Sequence, residues 1–132
     1  MKLAESHYDE VDLRAGKVPL NINPAMIATM LEHKMLTLMV AKVEYKVVGY
    51  LAFMVVEDFT TSTLCSKEVG MYIMEDYRGG SLFYRMFKLA ELELDKLGVV
   101  TKVIAFKDGH DTGMAERLGY TKSETVYEKT KD

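Results

Sequence analysis

The segment from Met71 to Gly98, MYIMEDYRGGSLFYRMFKLAELELDKLG, constrains the fold most, because its hydrophobic period changes at a pair of adjacent glycines. A short apolar run before the glycines is typical of a strand, and the residues after them repeat at the 3.6 spacing of a helix. A second strand-like run, VVTKVIAFK, follows this helix. The sequence therefore predicts a right-handed βαβ unit with parallel strands at 64–74 and 99–107 around a helix at 81–97.

The rest of the chain predicts a single domain over residues 1–132 with a mixed, mostly antiparallel α/β sheet and helices on both faces. The expected additional helices are 3–12, 24–33 and 111–118. The expected additional strands are 36–44, 47–57 and 121–129, the first two joined by a short hairpin connection. Asn23 followed by Pro24 is a typical helix start, with asparagine as the N-cap and proline in the first turn.

Composition excludes several function classes. The net charge of −3 and the isoelectric point near 5.6 give no electrostatic reason to bind nucleic acid or an anionic membrane. No apolar run approaches the roughly 20 residues that span a bilayer, and the N-terminus does not have the pattern of a signal peptide. A single cysteine excludes an internal disulfide, and three histidines without ligand-like spacing make a metal site unexpected. We therefore expect a cytoplasmic protein.

The sequence places Arg78, Gly79 and Gly80 between the end of a strand and the start of a helix. The first amides of a helix have no intrahelical partner, and the helix dipole adds partial positive charge there. Glycines let a bulky anion approach these amides, and an arginine adds a guanidinium. Gly-Gly also marks ordinary turns, so the dipeptide alone does not decide between an anion site and a plain loop. Neither a P-loop nor a G-x-G-x-x-G fingerprint is present.

The order of elements and a set of short motifs resemble the GNAT N-acetyltransferase superfamily, and in particular its phage-borne and bacterial members with a double glycine after the arginine. The motifs are His7-Tyr8-Asp9-Glu10, Val48-Gly49-Tyr50, Tyr77-Arg78-Gly79-Gly80 with Ala90-Glu91, and Glu116-Arg117-Leu118-Gly119-Tyr120. The resemblance covers nearly the whole chain but lacks the usual first strand. It implies that the protein can form a homodimer. For a phage-encoded member, it implies a location in the host cytoplasm or in the virion.

The resemblance also implies acetyl-coenzyme A as cosubstrate. The residues expected to bind it come from the end of strand 64–74, the glycine turn and the loop before the last helix. They are Met71, Tyr72, Ile73, Arg78, Gly79, Gly80, Ser81, Leu82, Phe83, His110 and Asp111. The backbone near Tyr72 is expected to pair with the pantetheine arm and to donate to the thioester oxygen. Asp111 is alternatively a simple N-cap of the helix that follows it.

Four residues are candidates for proton transfer. Glu68 is placed to act as the base, although it equally fits a solvated strand face. His7 has a suitable ordinary pKa near 6.5, but its position on the apolar side of a short helix also fits a packed histidine. The tyrosine that usually protonates the leaving thiolate is replaced by Ala115, so Tyr127 or Tyr120 would have to substitute for it.

Two functions from different classes follow. The first is an N-acetyltransferase that moves the acetyl group of acetyl-coenzyme A to a primary amine of a small molecule or protein by direct attack. The second is a catalytically silent protein of the same fold with a coenzyme-binding, structural or interaction role. Phe83, which stands where the family has a glycine, and Ala115 favour the second; Glu68 and the Arg78-Gly79-Gly80 turn favour the first.

Overall fold

The computed structural model of the chain describes residues 21–106 and 113–131. The chain divides into two compact units, Asn23–Ala105 and the combination of Met1–Ile22 with Phe106–Asp132. The first unit contains the sheet and the glycine turn. The predicted helix 3–12 with His7, and the residues His110 and Asp111, lie outside the described residues. The single domain over residues 1–132 stays a prediction.

The first unit is a mixed α/β sheet with the predicted order of elements. Its elements are α1 (Pro24–Glu32), β1 (Leu36–Val43), β2 (Lys46–Glu57), β3 (Leu64–Ile73), a 3-10 turn (Glu75–Tyr77), α2 (Leu82–Lys96) and β4 (Val99–Val103). The strands lie in the order β1-β2-β3-β4, with β1, β2 and β3 antiparallel and β4 parallel to β3. The predicted fold class is therefore confirmed, and the βαβ unit is β3-α2-β4.

Local chemistry accounts for the boundaries of these elements. Asn23 Oδ1 accepts a hydrogen bond from the Met26 amide at 3.1 Å, and Pro24 occupies the first turn, so α1 begins as the sequence predicts. The turn between β1 and β2 holds Glu44 at a φ of 57°. Gly98, at a φ of 86°, ends α2 in the left-handed conformation that glycine adopts without steric cost.

The core lies where α2 packs on β2. Phe53 and Phe87 are fully buried and meet edge to face, with ring centroids 6.1 Å apart and an interplanar angle of 80°. Ala90 and Leu94 continue the buried stripe of α2, as its helical spacing predicts. Phe83, at the beginning of the same stripe, is only half-buried. The core of this unit is therefore built from one helix face against the centre of the sheet.

The second unit corrects two sequence predictions. Residues 121–129 do not form the predicted strand: they have no regular structure, and both Val126 (71% exposed) and Tyr127 (91% exposed) face solvent. A high strand propensity does not by itself produce a strand, because the apolar side chains also need neighbours to pack against. The last helix, predicted over 111–118, is the shorter α3 (Met114–Arg117), which begins after Gly113 at a φ of 84°.

The strand predicted over 99–107 is also shorter than expected. β4 ends at Val103, and residues 104–106 continue without regular structure. The apolar run alone does not signal this end, because it continues through Val103, Ile104, Ala105 and Phe106. Pairing with β3 also stops at Val103, which is the physical reason for the end of the strand.

Replacing Phe53 with alanine tests this core. We expect Phe53→Ala to lower the free energy of unfolding by about 3–5 kcal/mol, because it removes a ring from a fully buried position. Phe59→Ala is the matched control, since the Phe59 ring is fully exposed and its loss should change stability by less than about 0.5 kcal/mol. Chemical denaturation measures both. Equal losses in the two variants would contradict this assignment of the core.

Candidate functional site

The strands β3 and β4 part halfway along β3. Their pairing runs from Leu64 opposite Val99 to Lys67 opposite Val103 and stops there. From Glu68 to Ile73, β3 continues beside β2, and among the described residues no strand pairs with its other edge. Backbone N–H and C=O groups at such an edge can pair with an extended ligand. The parted strands therefore leave a stretch of β3 that can accept an added chain.

The register identifies the backbone groups that point to this open edge. The Met74 amide donates to the Val48 carbonyl at 2.8 Å. Because antiparallel pairing alternates, Tyr72 opposite Tyr50 also turns its polar groups toward β2. The amides and carbonyls of Met71 and Ile73 then point the other way. Of the three residues expected here, Met71 and Ile73 present their backbone at the open edge, while Tyr72 does not.

A β-bulge lies in β3 at the same place. Ala52 pairs with Gly70 and Phe53 pairs with Glu68, so Val69 is an extra residue without a partner on β2. A bulge bends the strand and changes the direction of the neighbouring side chains. It therefore changes the direction in which Glu68, which is half-buried, leaves the strand.

The N-terminus of α2 follows the end of β3 and is preceded by the two glycines Gly79 and Gly80. Gly79 has a φ of 88°, and a Cβ at either Gly79 or Gly80 would meet no atom within 4 Å. The Ser81 side chain makes no capping hydrogen bond to the helix. Within the described residues, the space beside both glycines is therefore open, as the Gly79-Gly80 pair predicts, and the first amides of this 15-residue helix have no intrahelical partner.

Arg78 connects the glycine turn to the end of β3. Its Nε donates to the Ile73 carbonyl at 2.6 Å, and its guanidinium carbon lies 5.1 Å from the centre of the Tyr72 ring. These contacts hold the turn beside the open edge of β3. The sequence analysis expected the guanidinium to contact an anion, whereas the structure directs its Nε to the protein backbone.

Tyr50 is a site residue that sequence analysis missed. A Cβ at Gly70 would lie 3.0 Å from Tyr50 Cε2 and 3.7 Å from its hydroxyl oxygen, so the absence of a side chain at Gly70 admits the ring. Burial, and after it the charge of Glu68 and then of Tyr72, raises the pKa of Tyr50 to about 12. The phenol therefore remains protonated at neutral pH. The sequence did contain an indication of this contact, since a glycine within a strand often marks a position where another group lies close to the backbone.

Three further predicted residues lie within the described ranges. Leu82 and Phe83 occupy the first turn of α2, both half-buried. Tyr127 belongs to the second unit, with its side chain exposed. Within residues 21–106 and 113–131, no group of three or more His, Cys, Asp or Glu could hold a metal ion. In the same ranges, no helix has the length and apolar character needed to cross a membrane.

Solved structures of acetyltransferases share this fold. An aminoglycoside acetyltransferase from an uncultured soil metagenomic sample, in complex with sisomicin, superposes with a TM-score of 0.75 at 14% identity, covering 99% of this chain and 84% of that one. A predicted acetyltransferase from Clostridium acetobutylicum, with acetyl-CoA, gives a TM-score of 0.68 at 13% identity over 89% and 82% of the two chains. The fold is that of the GNAT acetyltransferases.

The likeness extends to a protein described by another function. A transcriptional regulator from Bacillus halodurans C-125 superposes with a TM-score of 0.74 at 14% identity, covering 95% of this chain and 89% of that one. No protein-family model and no curated protein matches the sequence. At these identities the comparisons show the fold, and the argument for an activity has to come from the site itself.

The raised pKa of Tyr50 gives a test of the site's electrostatics. The protonated phenol is favoured in the folded state, so its stabilising contribution is present below pH 10 and is lost as the pH rises from about 10 toward about 12. In an ultraviolet titration, we expect Tyr50→Phe to remove a late ionisation near pH 12. Tyr45→Phe, which removes a fully exposed ring, should leave that late step in place. Ionisation of Tyr50 near pH 10 in the folded protein would contradict its burial beside Glu68.

Proposed function

We propose that this protein is an acetyl-CoA-dependent N-acetyltransferase that acts on a primary amine of a small molecule or protein. The observation that carries the proposal is the open backbone edge of β3, among the described residues, beside the Gly79-Gly80 turn that precedes α2. One accepts an extended chain with amide groups, and the other accepts a negatively charged group. A coenzyme with a pantetheine arm and a pyrophosphate has both. The fold shared with acetyltransferases supports this reading.

The proposal assigns a part of the coenzyme to each feature. The pyrophosphate binds the amides that follow Gly79 and Gly80, where a Cβ built on either glycine would meet no described atom within 4 Å apart from its chain neighbours. The pantetheine arm pairs with the backbone of Met71 and Ile73. Arg78 holds these two surfaces together through its bond to the Ile73 carbonyl and adds positive charge near the anion. The likeness to a structure described with acetyl-CoA supports this arrangement.

For the acetyl transfer itself, the protein mainly has to position the two reactants and to place polar groups beside the reacting atoms. The amine nitrogen attacks the thioester carbon, the carbon–sulfur bond breaks, and the sulfur leaves as a thiolate. Glu68 accepts the proton that the amine loses, directly or through water. The carbonyl oxygen accepts a hydrogen bond from an amide of Met71 or Ile73, since the Tyr72 amide is turned toward β2.

The pKa of Tyr50 limits the part that this side chain can take beside Glu68. Tyr50 is protonated at neutral pH and can donate a hydrogen bond to a carboxylate but cannot take the proton of the amine. The bulge at Val69 sets the direction in which Glu68 leaves β3. In this proposal, the Glu68 carboxylate acts beside the part of β3 that no other described strand covers. An acceptor such as an aminoglycoside, the class bound by one similar structure, supplies suitable primary amines for a first assay.

Gly80→Glu tests the anion site. We expect it to abolish binding of acetyl-CoA in calorimetry, because a carboxylate would stand among the amides that hold the pyrophosphate. Gly80 does not have a positive φ, and its Cβ would contact nothing, so the fold should be preserved. Gly80→Gln has nearly the same size without the charge and should keep a larger part of the affinity. Unchanged affinity in Gly80→Glu would reject the site.

Glu68→Gln tests the base. The expected result is a fall in turnover of about 100-fold or more with little change in the affinity for acetyl-CoA, since the amide cannot accept a proton. Thiol release with a panel of amines measures turnover. The half-buried Glu91, far along α2, provides Glu91→Gln as a control that should retain activity. Full turnover in Glu68→Gln would remove Glu68 as base, and coenzyme binding without turnover in the native protein would indicate the catalytically silent alternative.

A further inference from the structure

The Tyr50 ring leans along β3 toward the β-bulge. In the register of the sheet, Tyr50 lies opposite Tyr72, but its ring lies beside Gly70, two residues nearer to Glu68. A Cβ at Gly70 would be 3.0 Å from Tyr50 Cε2 and 3.7 Å from the hydroxyl oxygen. Large side chains reach such diagonal neighbours on one face of an antiparallel pair. This lean brings the hydroxyl toward the bulge at Val69, which Glu68 directly precedes.

The charge of Glu68 reaches the phenol in this position. Burial is the largest cause that raises the pKa of Tyr50 to about 12, and the negative charge of Glu68 is the second. Both side chains are half-buried, so solvent screens their interaction less than at the surface. At neutral pH the phenol keeps its proton and can donate a hydrogen bond, whereas an ionised carboxylate can only accept one. The two groups are therefore a matched donor and acceptor.

The other charged or titratable groups around the pair lie on β3, on β4 and in the glycine turn. Tyr72 makes the third contribution to the raised pKa of the phenol. The Arg78 guanidinium lies over the Tyr72 ring, and Lys67, next to the carboxylate in sequence, is exposed. On β4, Lys102 is held in an ion pair with a carboxylate of α2. The residues opposite the pair on the neighbouring strands do not titrate: Val40 on β1 and Phe53 on β2. Among these groups, the Tyr50 phenol is the uncharged donor that leans toward the bulge.

We propose that Tyr50 is a positioning residue for Glu68, whose carboxylate accepts a hydrogen bond from the Tyr50 hydroxyl and is held ionised and in one orientation. Gly70 belongs to the same arrangement, because any side chain there would push the ring away from its place. The consequence for acetyl transfer rests on the proposed function, in which Glu68 is the base. A hydrogen bond to the charged form favours that form, so Glu68 stays able to accept a proton at a lower pH.

A titration of the Glu68 carboxyl carbon by nuclear magnetic resonance tests the hydrogen bond without any need for activity. Tyr50→Phe keeps the ring and removes the donor, so we expect the pKa of Glu68 to rise by about one unit relative to the native chain. Tyr45→Phe removes a hydroxyl from a fully exposed ring and should leave that pKa unchanged. An unchanged or lower pKa of Glu68 in Tyr50→Phe would overturn the proposal, whether or not the chain transfers acetyl groups.

Gly70→Ala tests the placement of the ring while the phenol is kept. The new methyl group would lie 3.0 Å from Tyr50 Cε2, so the ring has to move by a few tenths of an ångström, and the backbone of Gly70 does not have a positive φ. We expect a smaller rise in the pKa of Glu68 than in Tyr50→Phe, and no further rise when the two substitutions are combined. Additive effects of the two substitutions would reject the role given to Gly70.

Kinetics separate a positioning role from a structural one once turnover is measured. Tyr50→Phe should lower kcat about tenfold with an unchanged KM for acetyl-CoA, and the acidic limb of the kcat profile should move to higher pH. A loss of folded protein alone would lower the rate equally at every pH, and that result would contradict the positioning role. A native chain without turnover would reject the proposed function, and the carboxyl titration would still decide whether Tyr50 holds Glu68.

Discussion

The end of the pairing between β3 and β4 is the constraint on which the candidate site depends. Backbone amides and carbonyls within a sheet are normally satisfied by both neighbouring strands. Past Lys67, the described part of β3 has such a neighbour only on the β2 side, so the amide and carbonyl of Met71 and the amide of Ile73 are available to a ligand, while the Ile73 carbonyl accepts from Arg78 Nε. The bulge at Val69 and the turn at Gly79 lie on either side of this stretch. The binding surface is thus made mainly of backbone, and side chains shape its borders.

Because the site is formed mainly by backbone groups, the residues around it are either glycines that leave space or side chains fixed by contacts with the protein. Gly70 leaves room for the Tyr50 ring against β3, and Gly80 leaves room in front of α2. Arg78 is fixed by the Ile73 carbonyl and the face of Tyr72, which sets the distance between the strand edge and the helix start. An arginine bound in this way orders the turn and still carries its charge beside the proposed anion site. The Arg78 side chain therefore both fixes the position of the turn and supplies a positive charge.

The sequence predicted the helix and strands around the site better than the side-chain contacts within it. The change of hydrophobic period at Gly79 and Gly80 correctly predicted the unit β3-α2-β4, because burial of Phe87 and Leu94 against a sheet requires that periodicity. The sequence analysis missed the role of Tyr50, because a glycine inside a strand indicates that another group approaches the backbone but does not identify which residue does so. The prediction of a strand at 121–129 was wrong for a related reason. Strand propensity does not show whether the apolar side chains of a segment have a surface to pack against.

Acetyl-CoA is proposed to bind along the open edge of β3 and at the start of α2, and an amide-resolved nuclear magnetic resonance titration with acetyl-CoA tests this. We expect large shifts and slower hydrogen exchange for the amides of Met71, Ile73 and Leu82, with little change for Thr37 and Met39, which pair with β2 on the far side of the sheet. Unchanged amides at Met71, Ile73 and Leu82 at saturating coenzyme would contradict it.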